Sequence, residues 1–190
     1  MLLGRSAAPV PCPPPYTASP GRAGNSREPG FSMVHFLLGV SRFCLTLWCG
    51  GAFLFVWLTV RDILSGQFES VVLDQLLLNH FAVFYYFSFG FLPVGSVCLG
   101  AVVRHPRSSF HSRLGFGLAM GGLMVLLLDY FFVFSPLRDM LLPIGSPRPQ
   151  GFRGYHRLSE CLNALTFLLN LAAAALLNFK AGLREHHTLE

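Results

Sequence analysis

Four apolar runs, each about as long as a bilayer crossing, constrain this chain more than any other feature. Phe36 to Val60 is interrupted only by Arg42, and Phe81 to Val103 carries no charge. Leu114 to Phe134 holds one acid, Asp129, and Leu158 to Phe179 holds one, Glu160. At ~1.5 Å per residue, roughly 20 helical residues cross a hydrocarbon core of about 30 Å. Strands of a membrane barrel would alternate apolar and polar over about ten residues, and no such pattern is present. A water-soluble bundle would need a polar face on every helix, and the second run offers none. Only 12% of residues are charged and 53% are hydrophobic, against about a quarter charged in soluble domains. The expected fold is therefore all-α, a four-helix transmembrane bundle with spans at about 36–60, 81–103, 114–134 and 158–179.

The connections are read from their turn residues and charges. Residues 1–32 contain Pro11, Pro13, Pro14, Pro15, Pro20 and Pro29 among Gly and Ser, a composition that buries too little surface to offset ordering entropy, so a disordered tail is expected. Its Arg5, Arg22 and Arg27 precede any acid, as in an organelle-targeting leader, but the regular amphipathic arginine pattern is missing. The tail also reads as an extension upstream of a working start at Met33. Residues 61–80 read as a polar connection with a partly apolar second half, and residues 104–113 as a basic loop around Pro106. Ser135 and Pro136 are expected to close the third span. A loop over 137–157 with Pro143, Pro147 and Pro149 leads to the fourth, whose exit Lys180 and Arg184 mark.

Four spans place the amino end, the second loop and the carboxyl end on one side. Arg and Lys near the span ends are more numerous there, which predicts cytoplasmic termini; Arg148, Arg153 and Arg157 weigh the other way. The net charge of +5 is scattered through the connections without a basic face, so the lipid bilayer, and not nucleic acid, is the expected partner. Cys44, Cys49, Cys98 and Cys161 sit in apolar runs and Cys12 in the tail. They read as small hydrophobes and not as a disulfide framework.

The polar residues inside the spans are the candidate functional groups. His156, Ser159, Asn163, Thr166 and Asn170 recur at steps of three and four and fall within an arc of about 80° on an ideal helix. Facing lipid they would strand hydrogen-bonding groups, so the stripe is expected to face the other helices, as interhelical glue or as the wall of a hydrated path or small-ligand site. The threading also brings His80, Asp129, His156 and Glu160 toward one side of the membrane. Imidazole and carboxylate suit transition metals, so a metal or haem layer is the alternative to interfacial charges reaching water, although no HxxxH or ExxH spacing supports it. Arg42 lies near the opposite face, where it reaches outward, bonds backbone carbonyls or contacts an anionic lipid headgroup. Gly117 and Gly121 form a GxxxG, and Gly50 with Gly51 and Ala172 to Ala175 make smooth patches for close helix contacts.

One resemblance joins these features. Met33, Val34 and His35 open the first helix, Trp48 with Gly50 and Gly51 lies inside it, and Phe68 follows Arg61 seven residues on. Phe152, Arg153, Tyr155, His156, Ser159 and Asn163 lead into the last helix. Together they resemble the transmembrane protein 205-like family, which shares the domain of unknown function numbered 4149, over most of Met33 to Phe179. The chain departs from the family pattern at Leu76 to Phe81, where a glutamine and a Phe-Pro aromatic segment are usual. The resemblance implies a four-helix, multi-pass protein of endomembranes or the plasma membrane, rather than mitochondria, with links to drug resistance and secretory traffic. It supplies no catalytic residue, and neither a nucleophile and base pair nor an HExxH is found among the residues. The expected function is thus non-enzymatic, in trafficking or as a partner of other membrane proteins, with no cofactor; a metal- or haem-binding membrane carrier is the alternative.

Overall fold

The computed structural model describes residues 29–106 and 108–186. Residues 1–28, most of the tail expected to be disordered, lie outside that part. Helix α1 covers Pro29–Ser65, α2 Ser70–Val103 and α3 Phe110–Leu128. A π-helical turn, Asp129–Phe134, joins α3 directly to the short α4, Ser135–Met140, and α5 covers Phe152–His186. Four stretches are long and apolar enough to cross a membrane: Met33–Ser65, Val71–Val103, Phe110–Met140 and Phe152–Phe179.

The helices outrun the expected boundaries for local reasons. Helix α2 starts at Ser70 and not at Phe81, because Val71, Val72, Leu76, Leu77 and Leu78 alternate with Asp74, Gln75 and Asn79 at a helix-compatible spacing. The connection before it shrinks to a tight turn at Gly66, whose φ of 61° suits a residue without Cβ. Helix α3 starts behind Ser109, whose hydroxyl accepts from the Ser112 N–H at 3.2 Å and caps the exposed first turn. The third span passes through Pro136 instead of ending at Ser135. The Ser135 N–H already bonds the Tyr130 carbonyl, five residues back, and this wider ladder receives the proline at the start of α4. Gly151, at φ 99°, turns the chain into α5, which continues past Lys180 and Arg184; their side chains lie outside the described part.

Helix α1 packs mainly on α2 and α3 mainly on α5, while lighter α1–α5 and α2–α3 contacts close the ring. Trp48 Nε1 donates to Ser88 Oγ at 2.9 Å across the first pair, and Asn178 Nδ2 donates to Thr46 Oγ1 at 3.2 Å between α5 and α1. Seven buried positions on the third span, Ser112, Gly115, Ala119, Gly122, Leu126, Asp129 and Val133, alternate in steps of three and four, and Phe134 and Leu137 are buried besides. That is the heptad spacing of helices inclined by about 20°. Its partners on α5 step by seven in the opposite direction: Gly115 lies against Leu177, Gly122 against Asn170 and Asp129 against Asn163.

This seam revises the expected role of GxxxG. A Cβ on Gly117 would meet nothing within 4 Å, and one on Gly121 only the tip of Leu169 at 3.8 Å, whereas one on Gly122 would overlap Asn170 Nδ2. A seven-residue seam brings Gly115 and Gly122 to the contact and turns Gly117 away. Likewise Gly51 meets Phe87 and Gly50 meets nothing.

Phe36, Phe43, Phe53, Trp57, Tyr86, Val97, Phe131, Phe132 and Phe179 all face outward, while Ser41, Ser88, Ser96, Asp129, Thr166 and Asn170 are buried. Only 28–33% of each apolar window is buried inside the protein. So much outward apolar surface is incompatible with water as solvent and fits lipid, which makes this a multi-pass membrane protein. At the end bearing the first and third connections, Arg148 bridges to Asp74 at 2.8 Å and stacks over Phe152. These contacts fold the loop after α4 onto the starts of α2 and α5.

Candidate functional site: a buried acid joining three spans

Asp129 has no exposed surface. The seven-residue seam points it from the third span into the bundle, where an acid without donors would be strongly destabilising. Donors come from two other helices. Tyr85 on α2 donates its hydroxyl to Asp129 Oδ2 at 2.5 Å, Asn163 Nδ2 on α5 at 2.8 Å, and Ser159 Oγ one turn earlier at 3.4 Å. Asn163 Nδ2 also reaches the Ser159 carbonyl at 3.0 Å, which fixes the orientation of the amide. Asp129 opens the π-helical turn, a distortion frequent at functional sites.

Aromatic rings surround this centre. Tyr85 packs against Phe134 at a centroid distance of 4.5 Å and against Tyr130 at 5.1 Å, and Phe84 stacks on Phe55 of α1 at 4.7 Å. These contacts hold the Tyr85 hydroxyl toward the acid and fill the neighbouring space with carbon.

The stripe residues of α5 are distributed unequally. Ser159, Thr166 and Asn170 are buried, and Asn163 is half-buried on the same side. His156 is not part of this interior. It pairs with Glu160 at 3.1 Å, its side chain half-buried and that of Glu160 exposed, and stacks on Phe152. Asn170 Nδ2 donates to the Thr166 carbonyl at 2.9 Å.

The four residues proposed for a metal layer do not converge. His80 lies edge-on to Phe55, Asp129 is enclosed by Tyr85, Ser159 and Asn163, and His156 with Glu160 forms a separate pair. Among the described residues, no group of three or more His, Cys, Asp or Glu side chains could hold a metal ion. The donors around Asp129 are hydroxyls and an amide, a poor set for a transition metal or a haem iron. Arg42 is half-buried on α1, with its Nε enclosed and without a hydrogen-bond partner.

No protein-family model, curated protein or solved structure matches the chain. The residues that carry the site are thus assigned from chemistry and geometry alone. Tyr85 was missed in the sequence, although a signal existed. Tyr85 and Ser88 stand at i and i+3 in an otherwise greasy, uncharged span, and an acid on the neighbouring span needs hydroxyl donors.

Proposed function

We propose that this is a non-catalytic membrane protein of the endomembrane system or plasma membrane, acting in secretory traffic through contacts with other membrane proteins. The observation that carries this reading is the Asp129 centre. One acid takes donors from α2 and α5, so a single polar point holds three spans in one arrangement, and the outer faces keep a defined shape in lipid. Hydrogen bonds within membranes contribute about 0.6 kcal/mol each on average, enough in combination to select one packing among several apolar ones. The resemblance to the transmembrane protein 205-like family supports the traffic assignment, and the arginine and lysine balance supports cytoplasmic termini.

The test is a secretion assay in cells depleted of the protein. Re-expression of the wild-type chain restores the export rate of a secreted reporter, whereas Asp129→Ala, matched for membrane abundance, does not. An export rate indifferent to depletion would remove the traffic role.

A further inference from the structure

The hydrogen bonds around Asp129 use only one side of the site. Asp129 Oδ1 has no hydrogen-bond partner in the protein, nor do Asn163 Oδ1, Thr166 Oγ1 or Asn170 Oδ1, and all four atoms are buried. Asp129 and Asn170 have no exposed surface and Thr166 is 1% exposed. Unmet oxygens at this depth are costly; Ser41, Arg42, Thr59 and Ser96 on α1 and α2 also carry an unpartnered buried atom each, but four along one seam between α3 and α5, one of them a carboxylate oxygen, form a pattern.

Their chemistry is uniform. Asn163 commits its nitrogen to Asp129 Oδ2 and to the Ser159 carbonyl, and Asn170 commits its nitrogen to the Thr166 carbonyl. Neither amide is free to turn a donor toward the unmet side; what remains is two amide oxygens and a carboxylate oxygen that only accept and the Thr166 hydroxyl, which can accept as well as donate and has no acceptor within reach. Thr166 follows Asn163 by three residues and is its neighbour on the helix face, about 5–6 Å away at Cβ. Asn170 stands one turn further along the same seam.

From this arrangement we propose that Asp129, Asn163 and Thr166 form an intramembrane site for a monovalent alkali cation, with Asn170 as the next oxygen along the seam. One carboxylate balanced by one monovalent ion leaves no net charge in the hydrocarbon, whereas a divalent ion would leave an excess. Oxygen-only ligands also select hard cations over transition metals. A proton on Asp129 would remove its charge but leave Thr166 and Asn170 unmet. The inference rests on the α3–α5 seam and is independent of any role in traffic.

The test is radioactive sodium binding to the full chain purified into lipid nanodiscs, with choline as the inert replacement cation and folding checked by thermal melting. The wild type binds sodium saturably at one ion per chain, and sodium but not choline raises its melting temperature. Asp129→Asn abolishes binding. Thr166→Val, which keeps the side-chain shape, weakens it roughly tenfold, as expected for one lost ligand, so the site remains testable if Asp129→Asn fails to fold. Absence of saturable sodium binding by folded wild type would overturn the proposal, as would unchanged binding by Thr166→Val. Stabilisation by lowered pH alone, equal in sodium and choline, would overturn it in favour of a proton.

Discussion

The tightest glycine contact among the described residues, Gly122 against Asn170, allows a quantitative test of the α3–α5 seam. In Gly122→Ala the new methyl would overlap Asn170 Nδ2 and stand 3.0 Å from its Cγ, where nonbonded heavy atoms prefer about 3.5–4.0 Å. Asn170 has no exposed surface, and its nitrogen is tied to the Thr166 carbonyl at 2.9 Å. Either the side chain gives up that bond or the helices part. Parting the helices costs about 1–3 kcal/mol as overpacking does, and giving up the hydrogen bond costs about 1 kcal/mol, so a destabilisation of about 1–3 kcal/mol is expected. Thermal unfolding in detergent can be followed with a thiol-reactive dye in a chain whose Cys12, Cys98 and Cys161 are replaced by serine, since Cys44 and Cys49 are buried in the fold while Cys161 is exposed. Adding Asn170→Ala should recover much of the loss by removing the obstacle, and Gly117→Ala, with open space at its Cβ, should be neutral. A Gly122→Ala protein that melts within about 0.5 kcal/mol of wild type, or a double variant no better than the single, would refute the seam.

Other variants probe the remaining contacts. Asn163→Leu and Tyr85→Phe each take one donor from Asp129 and should each lower stability by about 0.6–1.7 kcal/mol in the same dye assay; no change in both would mean that Asp129 is held otherwise. Arg148→Ala should speed amide exchange over residues 141–151, because the Asp74 bridge and the Phe152 stacking hold that loop, while global stability falls by no more than about 1 kcal/mol, the bridge being half exposed on its arginine side. Unchanged exchange in the loop would exclude this anchoring. His156→Ala should leave stability within about 0.5 kcal/mol and leave transition-metal content, by elemental analysis, equal to wild type; a stoichiometric metal lost with His156 would restore the metal layer.

The spans were legible because length and apolarity are properties of the chain itself, and lipid leaves the backbone few alternatives to a helix. The inward direction of Ser159, Thr166 and Asn170 was legible for the same reason, as a periodic polar stripe on an apolar helix admits one orientation. Boundaries were less so. The start of α2 at Ser70 depends on an amphipathic turn that reads equally well as a loop, and the passage through Pro136 depends on a π-helical turn with no residue signature of its own. His156 fitted the stripe's arithmetic but pairs with the exposed Glu160 instead. The pairing of Asp129 with Tyr85 required the relative rotation of α2 and α3, which a single sequence does not specify. The seven-residue seam was present in the spacing of Gly115, Gly122 and Asp129, obscured by the more familiar GxxxG beside it.

Disulfide cross-linking in native membranes tests most directly whether the third span lies antiparallel on α5 with Asp129 directed inward. In a chain whose other cysteines are replaced, Gly115→Cys with Leu177→Cys should cross-link readily on oxidation, because a Cβ at position 115 stands 3.4 Å from the Leu177 side chain. Gly117→Cys with Leu177→Cys should not, since position 117 faces away. Efficient cross-linking at 117 and none at 115 would rotate the third span by about half a turn, direct Asp129 toward lipid and contradict the account.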